Sequence, residues 1–180
     1  MKPSAAPPKS GPTAPKHTIY NHFGDKERLF RAAIAALADQ ALTRNLAAVD
    51  LLRAGAGTDL QAVLEEVGLR LAECYCDERS WALRRLLQAE VTNLPDLLDI
   101  VRERASDKVN EALADRFARL ALAGHLSVSD PAVAAEQFGA LLTAPLETRS
   151  QLGTRTLPEK ELTEVTQNAV RTFLRAFSNG

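Results

Sequence analysis

From Asp25 onward, apolar residues recur three and four positions apart, the spacing that stacks side chains on one face of an α-helix. Leu29, Phe30, Ala33, Ile34, Leu37, Leu42 and Leu46 trace the first stripe and predict a helix from about Lys26 to Leu52, ended by Gly55 and Gly57. Thr58-Asp59-Leu60-Gln61 has the form of a capping box, in which a side-chain oxygen takes an otherwise unpaired N–H. It opens a second helix, with Leu60, Val63, Leu64, Val67, Leu71 and Cys74 on one face, that should stop near Asp77. Ser80 is placed to cap a shorter helix through Trp81, Leu83, Leu86, Leu87 and Val91 to about Thr92. Pro95 suits the first position of the next, and Asp96 complements its dipole. That helix carries Leu98, Val101, Ala105, Val109, Ala112, Leu113, Phe117 and Leu120 and ends at Gly124. Asp130-Pro131 opens another, running to about Leu152, with Ala134, Ala135, Phe138, Leu141 and Leu142 inward. Pro145, which lacks an N–H, should kink or end it. The last helix begins at Pro158 and shows Leu162, Val165, Ala169, Val170, Phe173, Leu174 and Phe177 in regular spacing. No alternating pattern competes, so the fold class is all-α.

Composition sharpens this at the N-terminus. Five prolines, Pro3, Pro7, Pro8, Pro12 and Pro15, fall in residues 1–17, each removing an N–H and disfavouring helix in the residue before it. That stretch reads as an extended or disordered arm. The formal charge is -1, yet the first 23 residues hold three lysines and no acid, which leaves -4 for the rest. A basic N-terminal segment on an acidic body fits an end that faces DNA, and fits a solvated tail equally. No apolar run approaches the ~20 residues of a membrane span, and the start lacks a signal peptide's apolar stretch, so a cytoplasmic protein with no membrane partner is expected.

Candidate chemistry is sparse. Cys74 and Cys76 stand two apart on a helix, pointing about 200° apart, and read as ordinary reduced thiols. His17, His22 and His125 are dispersed in no metal-ligand spacing. No nucleophile–base motif and no phosphate-cradling loop occurs, so neither an enzyme nor a cofactor or metal is expected. The charges at Asp77, Glu78, Arg79, Arg84 and Arg85 read as a solvated face.

Residues 18–30 carry the most specific signal. Thr18, Tyr20, Asn21 and His22 would stand on the solvent face of a short helix as donors, while Ile19 and Phe23, four apart, point inward. Gly24 stops that helix and Asp25 caps the next. The run Thr18-Ile19-Tyr20-Asn21-His22-Phe23, followed by Lys26-Glu27-Arg28-Leu29-Phe30, resembles the signature of the tetracycline-repressor (TetR) family. There the recognition helix of a helix-turn-helix ends in T-x-Y-x-H-F, and the next helix opens with K-E-x-L-F. The helices after Asp25 are similar in order to that family's ligand-binding and dimerisation part. Leu83 to Glu90 followed by Leu94-Pro95-Asp96-Leu97, and Asp130-Pro131 leading to Ala135-Glu136-Gln137-Phe138, look like one subgroup of it.

The resemblance implies a TetR-like helical bundle divided into an arm over 1–17, a helix-turn-helix remnant with its connecting helix over 18–48, and a ligand-binding and dimerisation domain over 49–180. The two helices that precede the motif in the family cannot be drawn through residues 1–17. Operator binding by this chain is therefore expected to be weak or absent. The implied function is a regulator of transcription, a repressor, responding to a small-molecule effector. The alternative is a dimeric ligand-binding or protein-interaction module that does not bind DNA. DNA contacts are expected from Thr18, Tyr20, Asn21, His22 and Lys26. An effector cavity is expected among Leu71, Tyr75, Trp81, Glu90 and Phe117, between the helices at 58–77, 80–92 and 95–123; each aromatic could equally fill core. Glu90 shares a helix face with Leu86, Leu87 and Val91. A homodimer is expected through the last two long helices, with Phe138, Leu142, Val170, Phe173, Leu174 and Phe177, because a monomer has little left to cover so wide an apolar arc near the terminus.

Overall fold

The computed structural model describes residues 26–52 and 59–178. The arm at 1–17 and the motif residues Thr18, Tyr20, Asn21 and His22 lie outside them. Every regular element among the described residues is helical: α1 (Lys26–Val49), α2 (Leu60–Cys76), α3 (Glu78–Glu90), α4 (Asp96–Val101), α5 (Asp107–Leu122), α6 (Pro131–Arg149) and α7 (Glu159–Phe177). A π-helical turn, Arg102–Ser106, joins α4 to α5.

The chain divides into two units, Met1–Ala33 and Ile34–Gly180. Of the first, the described part is the opening of α1, where exposed Lys26 begins the helix and Arg31 pairs with Glu27 one turn earlier at 3.1 Å. The second unit holds the core.

In that core Phe117 of α5, Phe138 of α6 and Phe173 of α7 are fully buried, their ring centres 4.9 to 5.7 Å apart. Leu64 and Val67 of α2, with Val49 and Leu52 from the end of α1, complete the cluster. A second cluster gathers Ala72, Leu146, Leu157, Leu162 and Val165 at the other end of α2 and α7. Gly68 lets α2 and α7 approach closely, since a Cβ there would lie 2.8 Å from the Thr166 methyl.

Several sequence expectations shift. Asp59 caps α2, its carboxylate accepting from the N–H of Gln61 and Ala62 at 3.0 and 3.4 Å, while Thr58 lies outside the described residues. Asp77 both ends α2 and caps α3, while Ser80, expected as the cap, sits inside α3 and donates its N–H to Asp77 at 2.6 Å. A carboxylate outranks a hydroxyl here because it can serve several donors at once. Pro95 precedes α4 as its cap instead of occupying its first turn. Pro145 does not end α6, which continues to Arg149. The N–H that proline withholds from Leu141 is outweighed by the burial of Leu142 and Leu146 on either side of it.

The apolar end of α7 is also covered within the chain. Phe138, Leu142, Val170 and Phe173 are buried inside one protomer, and Leu174 and Phe177 pack half-buried against the same cluster. The cover comes from α5, α6 and the segment after α5, where Ser127 donates its N–H to the Phe177 carbonyl at 2.6 Å. A second copy would meet the residues outward of these, not these themselves.

Candidate ligand-binding cavity

Small side chains set where the helices of the second unit fail to close. Ala38 and Ala41 of α1 and Gly139 of α6 face the interior of the bundle where larger residues would fill it. The π turn adds to this, because an extra residue per turn pushes the backbone aside and such turns gather at binding sites. The result is a cavity of about 310 Å³. Its remaining wall comes from Asn45 of α1, Leu71, Ala72, Cys74 and Tyr75 of α2, and Ser80, Leu83, Arg84 and Leu87 of α3. Val101, Ala105, Ser106, Val109, Asn110 and Leu113 continue it along the π-turned helix, and Leu142, Thr143 and Leu146 close it on α6. Ser106 is the exposed member of the wall.

Of the five residues expected to line a cavity, Leu71 and Tyr75 do so. Trp81 is buried behind the wall, its ring edge-on to Tyr75 at 5.6 Å and in contact with Gly153. Glu90 lies at the last residue of α3, where it accepts from Asn93 at 3.4 Å. Phe117 is spent in the phenylalanine cluster. A helix offers only part of its apolar arc to any one space, and Trp81 and Phe117 fall on the part that packs.

Arg84 was not anticipated. It is the one charged side chain of the wall, stacked over the rings of Tyr75 at 3.8 Å and Trp81 at 3.9 Å, with an Nη2 hydrogen donated to the Tyr75 carbonyl. A signal was available: Trp81, Arg84 and Leu87 stand three apart, which puts the arginine on the buried face of α3.

Burial governs the titrating groups nearby. It pushes the Cys76 thiol up to about 11, raises the Cys74 thiol and the Tyr75 hydroxyl, and lowers Arg84. An arginine remains charged at neutral pH all the same, so the wall carries a thiol, a phenol, amides, hydroxyls and one fixed cation. At the junction of α2 and α3 burial pushes the Asp77 carboxyl up, but the Ser80 N–H and the Arg44 guanidinium more than offset it and bring it below its ordinary value. Among the described residues no cluster of three or more His, Cys, Asp or Glu could hold a metal ion, and no helix is long and apolar enough to cross a membrane.

α1 is fastened to this wall by ion pairs. Asp39 meets Arg104 of the π turn at 3.0 Å, Asp50 just past α1 meets Arg116 of α5 at 2.9 Å, and Arg44 meets Asp77.

Comparison with known proteins places this architecture. A putative TetR-family transcriptional regulator from Mesorhizobium loti MAFF303099 has a similar structure, with a TM-score of 0.82 and 28% identity over 91% of this chain and 81% of that one. The flavonoid-responsive regulator FrrA matches with a TM-score of 0.63 and 26% identity, again over 91% of this chain and 81% of that one. A TetR family regulator from Pseudomonas syringae pv. tomato str. DC3000 shares the fold, with a TM-score of 0.66 and 22% identity over 92% of this chain and 80% of that one. No curated protein sequence matches. Residues 62–179 match the family described as the C-terminal domain of AefR-like transcriptional repressors. With that match spanning most of the chain, the protein belongs to the TetR family of transcription regulators.

Proposed function

We propose that the chain is an effector-responsive repressor that works as a cytoplasmic homodimer, with a small molecule held in the cavity and DNA met by the segment around Thr18, Tyr20, Asn21, His22 and Lys26. Residues 1–17 are then an arm, 18–48 the DNA-facing region with its connecting helix, and 49–180 the effector-binding and dimerising body. The cavity carries this reading: at about 310 Å³ it falls at the lower end of the roughly 300–1,000 Å³ of small-molecule pockets, and its wall is mostly apolar. A compact effector with an apolar body suits it, and one similar structure is that of a flavonoid-responsive regulator.

α1 supplies the coupling, since Ala38, Ala41 and Asn45 are part of the wall. The ion pairs that fasten it are exposed or partly so, and each is worth only about 0–1 kcal/mol, so they do little to oppose a re-seating of α1 when the cavity fills; the burial of Ile34, Ala38 and Val49 sets most of its cost. A bound molecule shifts that equilibrium only as far as it prefers one seating of α1 over the other.

Fluorescence anisotropy with the chain's own upstream promoter fragment at physiological salt tests the proposal. Sequence-specific binding that changes when a cavity-binding compound is added supports it; promoter binding indifferent to every such compound overturns it. The five prolines within residues 1–17 favour the second reading, a ligand-binding dimer that acts through a protein partner. Binding that is weak, independent of sequence and lost steeply with salt is the outcome that selects it.

A further inference from the structure

Arg84 stands apart from the arginines that tie the helices of this unit together. Arg44, Arg104 and Arg116 each meet a carboxylate across a helix interface. Among the described residues Arg84 meets none: its contacts are the faces of Tyr75 and Trp81 and the Tyr75 carbonyl, and its Nε is buried with no hydrogen-bond partner. Glu147 and Asp77 act on it through space only, and Asp77 is already engaged by Arg44 and the Ser80 N–H. The ring faces attract the cation but offer Nε–H no acceptor. A half-buried cation at the wall of an apolar cavity, with no carboxylate bonded to it, leaves its charge uncompensated, and an anion in the cavity would answer it.

We infer that the cavity takes a compact organic anion, a carboxylate carried on an apolar ring or chain, with Arg84 holding the carboxylate through the Nη hydrogens that the Tyr75 carbonyl does not take. This rests on the cavity being the effector site. A neutral hydroxyl could accept from an Nη hydrogen but would leave the charge as it was. A guanidinium edge instead presents two parallel donors that match the two oxygens of a carboxylate. The apolar body would lie among Leu71, Leu83, Leu87, Leu113 and Leu146, with the acid group at Arg84.

The test uses two matched pairs, naphthoate with naphthamide and phenylbutyrate with phenylbutyramide, titrated into the full chain by calorimetry at neutral pH. Each acid should bind at least about tenfold tighter than its amide, as expected for a charge-assisted pair. Arg84→Gln should bring the acid-to-amide ratio close to one. Amides binding as tightly as acids, or R84Q retaining the preference, overturns the anion assignment and leaves the cavity reading standing. If none of the four probes binds, the effector site itself is wrong and this inference goes with it. Should R84Q fail to fold, the acid-to-amide ratio in the unmodified chain decides alone.

Discussion

Thr166 and Gly68 meet where α2 and α7 cross, and the contact leaves no room for a methyl group. Gly68→Ala gains about 1 kcal/mol of helix propensity but drives its Cβ to 2.8 Å from the Thr166 Cγ2, a branched and buried group that cannot swing aside. Overpacking of this kind costs about 1–3 kcal/mol, so a net loss of stability is expected in denaturant titration. Combining it with Thr166→Ala should recover most of the loss. The Thr166 hydroxyl is itself buried without a hydrogen-bond partner, so Thr166→Val should stabilise the chain by about 1 kcal/mol; a midpoint that falls would count against this account. The thiols give a prediction in pH. Cys76, moved by burial from 9.0 to about 11, is neutral at neutral pH and should be alkylated slowly by iodoacetamide. Because its folded pKa is raised, the folded state holds a proton that the unfolded state releases; the stability that burial of the thiol lends is intact below about pH 9 and is lost as pH rises toward 11. Replacing Cys76 by serine should flatten that part of the curve, measured by chemical denaturation at each pH. At this scale the arginine of the cavity was legible in the three-residue spacing of Trp81, Arg84 and Leu87, but the neighbouring charges on α3 masked it. Whether such a residue pairs with a carboxylate or with aromatic faces depends on residues brought close only by folding.

The helices themselves were legible because each buries a stripe with regular spacing, and three of them begin at an aspartate cap. What the spacing could not reveal is irregularity inside an element. The π turn at Arg102–Ser106 keeps its backbone in the right-handed helical region, so the apolar pattern runs through it almost undisturbed. Pro145 misleads in the other direction, since a proline near the end of a well-buried helix is tolerated when the flanking leucines hold it. The loop from α6 to α7 carries a testable constraint. Gln151, Leu152 and Gly153 are in the left-handed region in succession, with φ of 52°, 57° and 79°, and Gly153 lies against the Trp81 indole. A Cβ at Gly153 would fall 2.1 Å from that ring, and a side chain at this φ is strained as well. Gly153→Ala should therefore destabilise by on the order of 2–4 kcal/mol. It should also displace Trp81, the chain's single tryptophan, and so shift its fluorescence. An unchanged emission maximum together with an unchanged unfolding midpoint would show that the loop yields easily.

For the molecule as a whole, the sequence led to the family and the helical body, while the interior packing of the last helices was misjudged for one reason. An apolar arc near a terminus looks uncovered when only its own helix is read, and its cover here comes from α5, more than fifty residues earlier in the chain. The expected dimer consequently moves to the outer face of α6. There Val133, Ala140 and Ala144 are exposed and Leu141 is half-exposed, spaced three and four apart, with Gln137 and Thr148 on the same side. Such a face is small enough to let a symmetry-related α6 approach closely, and α7 lies alongside with polar residues such as Glu164, Asn168 and Arg171 to form a rim. Two substitutions separate this arrangement from one built on the buried phenylalanines. Ala140→Glu with Ala144→Glu sets like charges against each other across a two-fold axis and should yield a helical, folded monomer in sedimentation. Phe173→Ala should leave the association constant of the remaining folded protein unchanged while costing about 3–5 kcal/mol of stability, because its ring belongs to the interior of one chain. A double glutamate variant that still sediments as a dimer, or an unmodified chain that is monomeric at micromolar concentration, would rule out α6 as the seam.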